Sequence, residues 1–313
     1  MMRTARPLAL AVSAVLLLGA CTTSEAVAPA TPSATPERER APETGPKATP
    51  EHAPEPATDA DPTDETQDPT AGAAVPRPTW LGTRVLPLAA DGFGQRLPTP
   101  DELIDRRLMT PPLPDPTPPP PPADGSFRAT VDEVPPRVVS RSTWHADCPV
   151  ALDELRYLTV TFIGFDDRAH TGELLVHADV TDDVVRVFAA LHAARFPMEE
   201  LRVITRDELD APPTGDGNVT SAFVCRPTVG GTRWSDHAFG RAIDVNPFHN
   251  PYLRGDLVIP ELAGSYVDRS LVRPGMIVPD DAVTGAFAAV GWGWGGDWTG
   301  AATDPMHFSV SGR

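Results

Sequence analysis

The sequence predicts an α+β domain carried on a long N-terminal tether, and three observations lead there. Prolines crowd the first half of the 313 residues, whereas aromatic side chains concentrate after residue 140. From 22 to about 79, Pro, Thr, Ala, Glu and Asp dominate and no apolar face repeats at helix or strand period. Such a segment cannot bury enough surface to offset its ordering entropy, so a disordered tether is expected over 21–79. Beyond residue 131, strand and helix patterns mix without a repeated βαβ unit, which favours α+β. The formal charge of −17 and pI near 4.8 exclude nucleic acid as a partner, since phosphate binding needs clustered Lys and Arg.

The N-terminus reads as an address. Arg3 and Arg6 precede an apolar run, Leu8 to Leu18, too short to span a bilayer. The run closes with Leu18-Gly19-Ala20-Cys21, which resembles the bacterial lipobox. A signal peptide over 1–20 is therefore expected, with Cys21 lipidated and the protein exported and held to the membrane facing the cell wall. A plain secretory signal with an incidental cysteine is the alternative. Lipidation anchors without spanning, each buried CH₂ contributing about 0.8 kcal/mol. A tether of this length reaches on the order of 150 Å in the polyproline limit, at about 3.1 Å per residue. Cys148 and Cys225 remain as a pair in a disulfide-permissive setting. A bridge between them would restrict the unfolded chain by about 4 kcal/mol. Two buried thiols, or one thiol ligating a metal, are the other possibilities.

Residues 80–130 form a third region. Trp80, Leu81, Val85, Leu86, Phe93, Leu103, Ile104 and Leu108 supply apolar anchors, and Pro100 to Asp105 reads as a short helix start. An extended strap packed loosely on the domain is expected, followed by a stiff spacer at Pro118 to Pro122. In the domain, 131–313, Leu155 to Ile163 and Gly172 to Ala178 read as strands. A helix starts at Thr181-Asp182-Asp183, with Val184, Val187, Phe188, Leu191 and Ala194 on one face until Pro197. Leu201 to Ile204, Ala242 to Val245 and Met306 to Val310 are further strand candidates.

Two segments concentrate chemistry-bearing residues: Ser235 to Val245, and Gly291 to Trp298 followed by Asp304-Pro305-Met306-His307-Phe308. Neutral imidazole and carboxylate are suitable zinc donors, and catalytic zinc sites use three protein ligands and keep a fourth position for water. His237, Asp244 and His307 can make such a set, and Asp304, three residues before His307, lies where it can take a proton from that water. On spacing alone this is a weak signal, and a satisfied core histidine at 237 or a turn-forming Asp304 remains open. Asp297 is a candidate partner for a ligating imidazole. Trp292, Trp294 and Trp298 read as packing and site walls, and His170, His177 and His249 as structural or surface residues.

The pattern S-x-H-x-x-G-x-A-x-D-V over 235–245, with Asp304-x-x-His307-Phe308, resembles the zinc D-Ala-D-Ala carboxypeptidase and L-Ala-D-Glu endopeptidase family. The resemblance extends through Asn218 to Arg226 and Asn246 to Tyr252, and so spans roughly 140–313. It implies a Hedgehog/DD-peptidase-like zinc domain, with His237, Asp244 and His307 as Zn²⁺ ligands and Asp304 as general base. It further implies that Arg226 engages the substrate or its oxyanion, and that Ser235 lies beside the substrate. Many members carry Glu where this chain has Asp304, a departure that leans towards the endopeptidase branch. The expected activity is hydrolysis of peptidoglycan stem peptides. A zinc-containing wall-binding lipoprotein without catalysis is the alternative, against which the retained Asp304 argues.

Overall fold

The computed structural model describes residues 73–90, 92–114 and 117–313. The signal peptide, Cys21 and the tether up to residue 72 lie outside the described residues. From residue 73 the chain runs as a strap whose one helical feature is a single 3₁₀ turn, Asp101–Leu103. Then follow strand β1 (Ala129–Glu133), helix α1 (Pro136–Arg141), the paired strands β2 (Leu155–Ile163) and β3 (Ala169–His177), and helix α2 (Thr181–Ala193). Short elements complete the chain: β4 (Glu200–Leu201), α3 (Arg206–Asp210), β5 (Val219–Thr220), β6 (Ala242–Asp244), β7 (Tyr252–Arg254), β8 (Leu257–Ile259), α4 (Ala282–Ala288), β9 (Gly293–Trp294), β10 (Ala302–Thr303) and β11 (His307–Ser309). Among the described residues no helix is long and apolar enough to cross a membrane.

The main sheet has the order β1-β2-β3, and β2 and β3 pair antiparallel from Leu155↔His177 to Ile163↔Ala169. Side chains alternate across a strand, and both faces of this pair are covered. Leu158, Val160, Phe162, Leu174 and Val176 join the core of α2, with its Val184, Val187, Phe188 and Leu191. Leu155, Tyr157 and Leu175 pack into a second cluster with Val138, Val203 and Phe223. That double burial is why 155–163 reads as almost continuously apolar. At the end of α2, Arg195 takes φ 52° and turns the chain before Pro197 arrives.

Two smaller sheets carry the chemistry-bearing segments. One has the order β6-β11-β9, with His307 directly opposite Asp244. The other has the order β10-β7-β8. Helix α4 supports the first: Asp281 caps it by accepting from the Val283 and Thr284 amides at 2.9 and 2.8 Å. Its Phe287 stacks on Phe308 of β11 with ring centroids 3.9 Å apart. The strand expected over 201–204 shrinks to Glu200–Leu201, paired in parallel with β5.

The strap departs from expectation, being tightly rather than loosely packed. Leu103 and Leu108 are fully buried and, with Leu86, form a third cluster with Phe248, Val258, Leu262 and Tyr266. Each such leucine contributes roughly 2 kcal/mol of burial. Arg106 is 1% exposed and makes a two-pronged contact with Glu199 at 2.7 and 2.8 Å. Asn218 donates to the same carboxylate, and Tyr266 accepts the Arg106 amide. The tether boundary expected at 79 also moves, because residues 73–79 are held. Val75 bridges Leu108, and Arg77 reaches Glu199 at 2.5 Å and Glu200 at 2.6 Å. Composition averages over a window, so one arginine with two buried carboxylates to meet escapes it.

Candidate metal centre and its cleft

The centre is built by local turns at the ends of the β6–β11 ladder. Ser235 opens a 3₁₀ turn, Asp236–Phe239, its hydroxyl accepting from the His237 amide at 3.4 Å. Gly240 closes the turn at φ 67°, where a side chain would meet the His177 backbone nitrogen at 2.7 Å. The turn lays His237 beside Asp244, while the ladder register sets His307 opposite Asp244. His237 Nε2 lies 3.2 Å from Asp244 Oδ1 and 3.2 Å from His307 Nδ1, and His307 Nδ1 lies 3.0 Å from Asp244 Oδ1. All three residues are largely buried.

This donor set fits a tetrahedral cation. Ligand atoms at about 2.0–2.1 Å from zinc stand about 3.3 Å apart, close to the spacing of these three atoms. The remaining imidazole nitrogens are committed elsewhere. His237 Nδ1 donates to the Ala222 carbonyl at 2.5 Å, and His307 Nε2 to the Arg313 carbonyl at 3.2 Å. Anchoring the far nitrogen fixes the tautomer and turns the other lone pair into the site. Ala222 is aligned by the paired Ser221–Asp244 backbone bonds at 3.0 and 2.9 Å. Asp297 does not take the partner role expected of it: it is exposed and bonds to neither imidazole.

The electrostatics also ask for positive charge. Burial opposes ionisation of Asp244, yet the two imidazoles outweigh it and hold the carboxyl well below the usual range. Burial likewise disfavours a charged His307, but its bond to Asp244 and that carboxylate's charge raise its pKa. Asp304 is pushed the other way, to about 8, by burial and then by the nearby Asp244 charge. Its Oδ1 is buried with no hydrogen-bond partner. The Asp304 backbone is fixed by its amide bond to the Gly295 carbonyl at 2.9 Å, and its own carbonyl accepts from His307 at 3.0 Å. A side chain at 295 would stand 2.5 Å from the Asp304 carbonyl, so glycine is required there.

The donors and Asp304 line one cleft of about 800 Å³. Arg226 and Ser235 lie on its wall, so the three expected donors, Asp304, Arg226 and Ser235 share one cleft, from whose lining Asp297 is absent. Arg226 acts on the Asp304 charge, and Ser235 also has its turn-capping bond. Trp298 walls the centre, its ring 5.6 Å from that of His307 and its indole held by the Gly312 carbonyl. Trp292 and Trp294 instead pack on Phe287 and Phe308. No strap residue lines the cleft among the described residues. Sequence reasoning missed Tyr252 and Ile259, from the β7–β8 hairpin, and the loop carrying Thr228, Arg233 and Trp234. The Gly230-Gly231 pair within Thr228-Val229-Gly230-Gly231-Thr232 was the available signal for that loop.

Cys148 and Cys225 form a disulfide, Cα–Cα 5.9 Å, directly before Arg226 in the chain. His145 Nε2 lies 3.5 Å from Cys225 Sγ, but with both sulfurs bonded to one another this group is not a metal site. His249 is fully buried between the Arg106 carbonyl and Asn218, a structural residue.

Residues 229–310 match the model of a D-alanyl-D-alanine carboxypeptidase family. The match takes in His237, Asp244, Asp304 and His307, and agrees with the resemblance read from the motifs. No curated protein and no solved structure gives a significant match.

Proposed function

We propose that this carboxypeptidase-like peptidase domain is zinc-dependent and removes the terminal D-alanine from peptidoglycan stem peptides. One observation carries the reading: three metal-donor atoms converge beside a buried carboxyl oxygen that nothing in the fold satisfies. His237 Nε2, Asp244 Oδ1 and His307 Nδ1 would hold the ion. When bound, zinc supplies a water acidified towards about pH 7 and a Lewis acid for the scissile carbonyl.

The chain's own groups do the rest. Asp304, which lines the cleft, carries the proton between the attacking water and the leaving amine. Burial raises its proton affinity, which suits both halves of that transfer. Arg226 offers a guanidinium to the substrate's terminal carboxylate or to the developing oxyanion, where preorganised charge has most effect. Ser235 holds the turn that orients His237, and Trp298 keeps water from one side of the centre. The donor ladder and its turns are consistent with the Hedgehog/DD-peptidase type of zinc fold. Lipidation at Cys21, read from the sequence, would place the domain outside the membrane and within reach of the wall.

Incubation of the zinc-loaded protein with defined muropeptides, followed by mass spectrometry, tests the proposal. Loss of one terminal alanine is expected. Internal cleavage would assign an endopeptidase, and no product from any muropeptide would sink the peptidase reading in favour of wall binding.

A further inference from the structure

The loop between Arg226 and Ser235 does more than connect them. It is a small hairpin: Pro227 bridges Trp234, the Thr228 amide bonds to the Arg233 carbonyl at 2.8 Å, and Gly230 turns at φ 69°. Thr228, Val229, Thr232, Arg233 and Trp234 all line the cleft. Two of these side chains are unused by the fold. The Arg233 guanidinium has no hydrogen bond or ion pair among the described residues, although three carboxylates line the same cleft. Asp236 takes the Ser311 hydroxyl, Asp244 faces the two imidazoles, and Asp304 is buried beside them.

Trp234 is the second. It is 41% exposed, the one tryptophan among the large exposed hydrophobics of the described residues. The others are engaged: Trp144, Trp294 and Trp298 donate to backbone carbonyls, Trp80 lies under Arg84, and Trp292 packs on Phe287. A free cation and an open aromatic face on the same wall of a cleft make a recognition surface for a charged group on an apolar stem. The cleft's size agrees. About 800 Å³ lies high in the range of about 300–1,000 Å³ for ligand sites, more room than a terminal dipeptide fills. Arg226 already offers charge to one carboxylate, so a further arginine on the same wall, with no partner of its own, calls for a second anion.

We propose that the hairpin Pro227–Trp234 is a second subsite that selects peptides bearing a carboxylate on an aliphatic side chain just upstream of the cleaved D-Ala-D-Ala. Arg233 takes the carboxylate and Trp234 covers the alkyl stem. Only four chain steps separate Arg233 from His237, at most about 14 Å between Cα atoms, so the residue it reads lies within a few substrate positions of the metal donors. The inference rests on the peptidase reading of the cleft.

The test uses two N-acetyl-X-D-Ala-D-Ala peptides, in which the X side chain ends in a carboxylate or in the matching carboxamide. The full-length zinc-loaded protein should favour the carboxylate by about tenfold in kcat/KM, the effect of one charge-assisted hydrogen bond. In R233Q the ratio should fall to about one, and W234A should raise KM for both peptides. R168Q, which removes an exposed arginine outside the cleft, should keep the ratio and so separates a local contact from overall charge. A ratio near one in the unmodified protein, or a ratio that survives in R233Q, overturns the subsite. Calorimetric binding of the same pair to the Asp304→Asn protein reads the preference without turnover. Absence of cleavage would then count against the peptidase reading, while the binding ratio alone decides the subsite.

Discussion

Each imidazole of the centre has one nitrogen bound to a backbone carbonyl, so its tautomer is settled by the fold before any ion arrives. Removing a donor and removing the base should therefore separate. His237→Ala should abolish zinc retention, measured by elemental analysis. Asp304→Asn should retain zinc and lose turnover by roughly 10²–10⁴-fold, the usual weight of a general base. Full activity in Asp304→Asn would remove it from the mechanism. A second residue-scale prediction concerns His249, whose pKa burial lowers to about 4. Between about pH 4 and its ordinary 6.5 the unfolded chain binds a proton that the folded chain refuses. Stability is thus fully present above pH 6.5 and falls on acidification, by about 3 kcal/mol at most from this group. Urea midpoints at pH 7 and pH 4.5 should fall further for the natural protein than for His249→Gln. At this scale the candidate donors could be picked out because His and Asp are metal-ligand types, and the structure brings their side chains together. Their anchors, the Ala222 and Arg313 carbonyls, were not, since a backbone oxygen has no signature in the sequence.

At the scale of elements, legibility followed length. Strands β2 and β3 and helix α2 run long enough for period 2 or 3.6 to show, and they stand close to where the pattern put them. The sheet β10-β7-β8 is made of two- and three-residue strands, too short for any periodicity, and it was missed although it supplies Tyr252 and Ile259. Helix α4 had its Asp281 cap in plain view but only two turns to display a face. The element that positions the metal donors is the turn ending at Gly240. Gly240→Ala should cost about 1–2 kcal/mol for the left-handed backbone alone, and more for the close approach to His177. Thermal melting should register that loss, and zinc affinity should weaken with it because the turn carries His237.

The whole molecule is larger than the sequence suggested, because the strap belongs to it. The three leucines were visible as anchors within a window dominated by prolines, but the window hid how deeply they are buried, and it hid two arginines whose partners lie more than ninety residues away. The Arg106–Glu199 pair is the strongest of these ties. Arg106→Met should destabilise by about 3–5 kcal/mol by leaving a buried carboxylate uncompensated, and the double change with Glu199→Gln should recover part of it. Guanidinium unfolding of the single and double variants measures both.

The strap also defines a path for force. If the chain is anchored through its N-terminal region, tension enters at residue 73 and meets first the Val75–Leu108 bridge and the Arg77 clamp on Glu199 and Glu200. Those holds anchor the strap to the β4–β5 side of the fold, and none of them lines the cleft. A pull on the tether is therefore borne by the strap and its buried ion pairs, as a strain relief bears the pull on a cable. The spacing of the candidate metal donors is left to the β6–β11 ladder and to the turn that carries His237.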